Sequence, residues 1–137
     1  MVREIVTDPI FLKMKSEPAD RSDTELIKDL TDTLKANSYR CAGLAANMIG
    51  VRKTVLAAAV GKKQLIMINP VIVDRSKAVY TAEEGCLSHV GTHTVKRHRV
   101  ITVEYLDARF KRKKETFKDF EAQIIQHEMD HFQGILV

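Results

Sequence analysis

The sequence predicts an α+β fold in which antiparallel β-sheets pack around a central C-terminal helix with an H-E-x-x-H pattern, and a second helix lies near the N-terminus. Several short segments with strand character precede one long segment of helical periodicity at the C-terminal end, and this order of elements is typical of the class. The length of 137 residues fits one domain around one core. We therefore expect residues 1–137 to form a single domain.

The N-terminal helix is predicted over residues 23–36. It follows a capping-box pattern at Ser22-Asp23-Thr24-Glu25. Apolar residues then recur at helical spacing and are expected to face the core, namely Leu26, Ile27, Leu30 and Leu34. Residues 1–19 contain two prolines and are expected to be irregular.

The strands are predicted from β-branched and alternating segments. They are expected at residues 54–60, 64–68, 71–73, 78–81, 100–106, 110–116 and, as a short final strand, 135–137. Gly61-Lys62-Lys63 is expected to join the first two as a hairpin, and Asn69-Pro70 to end the second. The C-terminal helix is expected to start at Thr116-Phe117-Lys118-Asp119, an S/T-x-x-D signal, and to stop at Gly134.

The composition excludes several classes of protein. A hydrophobic content of 45% and a charged content of 29% are ordinary for a soluble globular protein. No segment approaches the roughly 18 apolar residues of a membrane helix, and no targeting segment is recognisable, so we expect a cytosolic protein without membrane association. The two cysteines do not suggest a disulfide framework. The basic cluster at residues 109–114 is interpreted as a solvated hairpin, with a nucleic-acid patch as the alternative.

The most informative pattern is H-E-x-x-H at residues 127–131. His127 and His131 are four residues apart, so on a helix their imidazoles lie one turn from each other on one face and could bind one ion. Glu128 lies further round the helix, where it could reach a water on that ion. The alternative is an amphipathic helix that carries two histidines by chance.

A third ligand is needed for a catalytic metal with one open position. Cys86, in Glu84-Gly85-Cys86-Leu87-Ser88, offers a thiolate, and the neighbouring glycine lets the backbone come close. The alternative for Cys86 is a small buried apolar side chain, the commoner role of a free cysteine.

Together the motifs resemble those of peptide deformylases. E-G-C-L-S at residues 84–88 and Q-H-E-M-D-H at residues 126–131 are similar to two signature motifs of that family, and residues 41–48 match the form G-x-G-x-A-A-x-Q in part. The order and spacing of the three blocks agree over nearly the whole chain. The resemblance implies a single catalytic domain, residues 1–137, which removes the formyl group from the N-terminal methionine of new bacterial proteins.

The resemblance also implies roles for individual residues. The metal ligands would be Cys86, His127 and His131, and the ion is usually Fe(II), with Ni, Co or Zn accepted. Glu128 would act as general base and then acid, and the backbone N–H of Leu87 and a glutamine amide would stabilise the charge on the formyl oxygen. The implied substrate-binding positions are Gly43, Leu44, Met48 and Gly85. An ion pair between Arg97 and Asp130 would orient the helix, unless Arg97 is a surface residue.

The chain departs from the family pattern in the first motif. Met48 occupies the position of the glutamine, and a thioether cannot donate a hydrogen bond. Asn47 carries an amide, but neighbouring residues of an extended segment point to opposite sides, so a simple exchange of roles is not expected. Cys41 replaces the first glycine. His89, His93 and His98 are expected at the surface or at the rim of the pocket.

These observations leave two main hypotheses. The first is a metal-dependent deformylase that is slow or has an altered substrate preference, acting on nascent chains in the bacterial cytoplasm with transient ribosome proximity. The second is a metal-binding paralogue without this activity that acts as a binding or regulatory protein, although retention of Glu128 counts against it. A zincin-type endopeptidase is disfavoured, because only six residues follow His131 and could supply its third ligand.

Overall fold

The computed structural model describes residues 1–136, with only the backbone described for His89 and Val90. The helices are α1 (Pro9–Leu12), α2 (Thr24–Ala36) and α3 (Asp119–Phe132), and the strands are β1 (Gly43–Ala45), β2 (Val55–Val60), β3 (Lys63–Arg75), β4 (Val79–Cys86), β5 (His89–His98), β6 (Val100–Leu106) and β7 (Arg112–Lys118). The predicted α+β class is confirmed. None of the helices in the described part of the chain has the length and apolar character needed to span a bilayer.

Two antiparallel sheets surround the C-terminal helix. One has five strands in the order β1-β2-β3-β6-β7, and the other is the β4-β5 hairpin. Helix α3 contacts both sheets, and its Ala122 and Ile125 are fully buried in the core. Helix α2 packs on β1, β2 and β3 through the predicted apolar stripe, in which Leu30 and Leu34 are buried. The core therefore fixes α3 between the two sheets.

The expectation that residues 1–19 are irregular is wrong for α1. Pro9 occupies a first-turn position of this helix, and the Asp8 side chain accepts a hydrogen bond from the backbone N–H of Ile10. A proline in the first turn costs little, since its missing N–H would have no partner within the helix. Pro9 therefore lies at the start of a helix, whereas the sequence analysis expected it in an irregular segment.

Helix α2 lies where it was predicted, but its capping box does not. The reciprocal bonds join Asp20 and Asp23: the Asp20 carboxylate accepts from Ser22, and the Asp23 carboxylate accepts from the Asp20 backbone N–H at 2.8 Å. They cap a 3₁₀ turn over Arg21–Asp23 that leads into α2. The predicted box at Ser22–Glu25 is thus displaced by two residues, because the chain enters the helix through this extra turn.

Strand β3 continues through Asn69-Pro70, which was expected to end it. Asn69 has a φ of 51°, and the pairing of β3 with β6 shifts register between Ile68 and Val71. The Asn69 side chain accepts hydrogen bonds from the Ala19 backbone N–H and the Thr54 hydroxyl at 2.8 and 2.7 Å. A bulge is a position where a strand tolerates proline, so the separately predicted strand at 71–73 belongs to β3.

The β4-β5 hairpin is longer than predicted. The strand expected at 78–81 extends to Cys86, and β5, which was not predicted, pairs with it along its length. Strand β6 spans Val100–Leu106 as expected.

The start of α3 and the segment after it differ from expectation. Thr116 lies in β7, where its hydroxyl pairs with that of Thr102, and α3 begins at Asp119 without a side-chain cap. Gly134, with a φ of 76°, follows the end of α3 as predicted. Ile135 and Leu136 form no strand, and Val137 lies outside the described residues.

Candidate active site

Helix α3 and the end of β4 bring the three predicted ligand residues together. His127 and His131 share one face of α3, with 3.3 Å between their Nε2 atoms. Cys86, the last residue of β4, has its Sγ atom 3.5 Å from Nε2 of His131. The donor atoms of the three residues all lie within 4.8 Å of one another.

This donor set fits a divalent transition metal. One thiolate and two imidazoles suit Fe(II) and Zn, and three protein ligands leave a coordination position open. Burial lowers the pKa of His127, but hydrogen bonds to Cys86 and Glu84 outweigh it and raise the pKa to about 10. The groups around His127 thus stabilise positive charge, and a metal ion would have to displace a proton from this ring to bind there.

A buried ionic chain holds His127 in place. Glu84 Oε1 lies 2.7 Å from Nδ1 of His127, which leaves Nε2 directed toward Cys86 and His131. Arg97 donates two hydrogen bonds to the Glu84 carboxylate, at 3.0 and 2.6 Å, and a third to Asp130 at 2.6 Å. The Arg97–Asp130 contact considered from the sequence is thus present, and Arg97 is only 5% exposed, so it is not a surface residue.

Glu84 had no role in the sequence analysis. Burial raises the pKa of its carboxyl, but hydrogen bonds from His127 and Arg97 outweigh this and lower the pKa to about 2. Glu84 is therefore an anion that fixes the His127 ring. Its position two residues before Cys86 is the signal that could have revealed it, because residues i and i+2 of a strand face the same side.

Glu128 is 4% exposed and lies beside the same three donors. Its Oε1 atom is 4.0 Å from Nε2 of His131 and has no hydrogen-bond partner among the described residues. Burial raises the pKa of this carboxyl to about 7. A Cβ atom added at Gly43 would lie 2.9 Å from Glu128 Oε2 and 2.8 Å from Cγ2 of Ile124, so only glycine fits there.

A cavity of about 460 Å³ opens beside these groups. Its lining comprises Arg40, Cys41, Ala42, Gly43, Met48, Glu83, Glu84, Gly85, Cys86, Leu87, Phe120, Gln123, Ile124, His127 and Glu128. Five residues with predicted catalytic or substrate-binding roles are among them: Gly43, Met48, Gly85, Leu87 and Glu128. Leu44 is not: it pairs with Ala57 in the sheet, and its side chain is buried in the core.

Asn47 and Met48 lie in a 3₁₀ helix, Ala46–Ile49, where an extended segment was expected. The Met48 side chain lines the cavity, and its Sδ atom accepts from the Ala45 backbone N–H at 3.4 Å. The Asn47 amide donates to the backbone oxygen of His131 at 3.1 Å. Asn47 is thus engaged with α3 and does not replace the missing glutamine at the cavity.

Several lining residues were missed from the sequence. Phe120, Gln123 and Ile124 precede His127 on one face of α3, and helical periodicity could have identified them. Burial raises the pKa of the Cys41 thiol to about 11, so Cys41 is a neutral part of the wall. His93 and His98 are not among the lining residues, and the side chain of His89 lies outside the described residues.

Comparisons with known proteins agree with this geometry. The sequence profile of the polypeptide deformylase family matches residues 2–137. The peptide deformylase of Clostridium beijerinckii is 53% identical over 137 residues, 100% of both chains. That of Pseudothermotoga lettingae is 39% identical over 141 residues, covering 99% of this chain and 81% of the relative.

Solved structures show the same similarity. The crystal structure of peptide deformylase from Ehrlichia chaffeensis has a TM-score of 0.90 at 32% identity and covers 99% of this chain and 86% of that one. The actinonin-bound class I type b peptide deformylase from Acinetobacter baumannii has a TM-score of 0.89 at 28% identity, covering 99% and 95% of the two chains.

The family match covers residues 2–137 and therefore spans Cys86, His127 and His131, which could hold a metal ion. The family is metal-dependent and acts on formylated nascent peptides. The prediction of a deformylase-type hydrolase is therefore confirmed, and the comparisons do not support the inactive paralogue. The chain belongs to the peptide deformylase family.

Proposed function

We propose that residues 1–137 act as one catalytic domain that hydrolyses N-formyl-methionyl peptides in the cavity beside Cys86, His127 and His131. One observation carries the proposal: the three donor atoms converge within 4.8 Å, and two of these residues, Cys86 and His127, line the same cavity as the buried carboxylate of Glu128. Hydrolysis of a formyl amide needs such a pairing of an electrophilic centre with a proton carrier.

Cys86, His127 and His131 would hold the ion, which we propose to be Fe(II), with Zn, Ni or Co as substitutes. When bound, the ion supplies Lewis acidity toward water and toward the formyl oxygen. Glu84, Arg97 and Asp130 hold the imidazole of His127 in one tautomer and orientation, as partners of metal-binding histidines commonly do.

Glu128 is proposed to move the proton. Its carboxylate takes a proton from the attacking water as the oxygen of that water bonds to the formyl carbon. The same carboxyl then gives the proton to the amine nitrogen as the C–N bond breaks and formate leaves. A pKa raised to about 7 by burial suits both steps, since each protonation state is accessible near neutral pH.

Of the two protein donors predicted to stabilise the formyl oxygen, we propose that only the backbone N–H of Leu87 is present. Met48 lines the cavity where a side-chain donor is expected, and its thioether donates nothing. We therefore propose a deformylase that is slow or has an altered substrate preference. Gly43, Leu44 and Gly85 would contact the peptide through their backbone.

The physiological substrate is proposed to be the nascent chain, met during transient proximity to the ribosome. Because formylated chains are made in the bacterial cytoplasm, we propose that compartment for the enzyme.

The test is formate release from a formyl-Met peptide by the Fe(II)-loaded chain under anaerobic conditions. Glu128→Gln should lower kcat by about 10²-fold or more, as loss of a general base does, while the metal content stays the same. Glu121→Gln is the matched control, because Glu121 lies on the same helix but does not line the cavity. Formate release by Glu128→Gln at near wild-type rate would refute the role of Glu128. Absence of formate release from the wild-type chain with any metal would refute the proposed function.

A further inference from the structure

We propose that Gln123 is a specificity-determining residue, which donates an amide N–H to the side chain of the first substrate residue and favours methionine over a hydrocarbon side chain of equal length. The inference rests on the proposed function. It follows from the position of Gln123, from the way its amide is held, and from the partners of the other polar groups in the cavity.

Gln123 lies on the cavity wall at a suitable distance from the reacting centre. It is four residues before His127 on α3, so the two side chains are about one helical turn apart, about 6 Å along the axis. Ile124 lines the cavity beside it, and Phe120 lies one further turn away. A substrate whose formyl group is at His127 can therefore extend an unbranched side chain along this face as far as Gln123.

The amide of Gln123 has a fixed orientation. The hydroxyl of Tyr80, from β4, donates to Gln123 Oε1 at 2.9 Å. The same hydroxyl is 3.2 Å from the backbone oxygen of Asp119, but it carries one hydrogen, and the shorter contact is the one to Gln123. With its oxygen engaged by Tyr80, the amide presents the N–H donors of Nε2, which make no hydrogen bond to the described residues.

Two charged residues of the lining, Glu83 and Arg40, are bonded to neighbouring side chains. Glu83 accepts from the hydroxyls of Thr92 and Thr94 at 3.0 and 2.7 Å. Arg40 donates through Nε and one terminal nitrogen to the Asn37 side chain. Gln123 is thus the neutral polar group best placed to meet an uncharged substrate side chain.

The chemistry selects for an acceptor on an otherwise apolar chain. The sulfur of methionine is a weak acceptor, whereas norleucine has the same length and no acceptor. A neutral hydrogen bond changes an equilibrium by a modest factor, so the expected preference is small but measurable. An apolar wall would not distinguish the two side chains in this way.

The test compares formyl-Met and formyl-norleucine peptides of otherwise identical sequence. The Fe(II)-loaded wild-type chain should show a kcat/KM that is about three- to tenfold higher for formyl-Met. Gln123→Leu should bring the ratio close to one, chiefly by lowering kcat/KM for formyl-Met. Tyr80→Phe, which keeps Gln123 but removes the donor that holds it, should give an intermediate ratio. Gln133→Leu is the matched control, because Gln133 follows α3 and does not line the cavity.

A wild-type ratio of one, or the wild-type ratio retained in Gln123→Leu, would overturn the inference. Hydrolysis of neither peptide would instead refute the proposed function. In that case, calorimetry would give the dissociation constants of the two peptides for wild type and Gln123→Leu. The inference is supported if formyl-norleucine binds more weakly than formyl-Met to wild type but not to Gln123→Leu. Equal dissociation constants of the two peptides for wild type would overturn the inference.

Discussion

Met48→Gln is expected to raise the kcat of deformylation by more than tenfold. Met48 is 1% exposed and lines the cavity, so a donor introduced there acts in a site with little water. Removal of one such donor costs ~10²–10³ in rate, or roughly 2.7–4 kcal/mol, in enzymes that have it. Glutamine has nearly the length of methionine, and its Oε1 can accept the Ala45 N–H bond that Sδ accepts now. Its Nε2 would then be free to donate toward the cavity.

The expected gain lies below the full effect because the surrounding 3₁₀ helix is packed around a thioether. The measurement is formate release at saturating formyl-Met peptide, under anaerobic conditions and with matched Fe(II) content. Met48→Leu, which adds no donor, should show no gain and controls for repacking. An unchanged kcat in Met48→Gln with the metal content retained would show that another group already stabilises the formyl oxygen.

Two further substitutions test the scaffold of the site. Glu84→Gln removes the charge that holds His127, so the metal affinity, measured by competition with a chelator, should fall by about 10–100-fold. The control is Glu83→Gln, which changes the neighbouring residue and leaves the Glu84–Arg97–Asp130 contacts intact, so the metal affinity should not change. Asp29→Asn tests the stability of the fold toward acid. Burial raises the pKa of the Asp29 carboxyl, but hydrogen bonds from the N-terminal ammonium and Arg3 outweigh burial and lower the pKa. The Asp29 contribution is therefore present above the ordinary aspartate pKa of about 3.9 and is lost as pH falls through the lower folded value. The difference in unfolding free energy between wild type and Asp29→Asn should be larger at pH 7 than at pH 3, and an equal difference at both values would contradict this.

The local part of the site could be predicted from the sequence. The relation of His127 to His131 needs only helical geometry, and the structure has both Nε2 atoms 3.3 Å apart. Cys86 could be predicted as the third ligand only from the family motif, because it lies on β4 and not on the helix that carries the two histidines. The i, i+2 relation to Cys86 could have suggested Glu84 as a neighbour of the site, but its partner His127 is 43 positions away and could not be identified from the local pattern.

The elements that were missed share a physical cause. Strand β5 exposes most of its side chains, as at Thr92, His93 and Thr94, so it lacks the apolar alternation by which strands are recognised. Asn69-Pro70 has the composition of a turn, but Asn69 is bonded to Ala19 and Thr54, and these tertiary contacts stabilise a bulge inside β3. In both cases long-range contacts decide the conformation.

The positions of Asn47 and Met48 are linked through α3. The Asn47 amide binds the backbone oxygen of His131, and the next residue along the chain, Met48, lines the cavity. If Asn47 turned toward the cavity to replace the missing glutamine, it would give up its bond to the last turn of the helix that carries both histidines. The Asn47 amide therefore helps to hold the turn of α3 that carries His131. Any side-chain donor that takes the place of the glutamine absent at Met48 therefore has to come from outside this 3₁₀ helix.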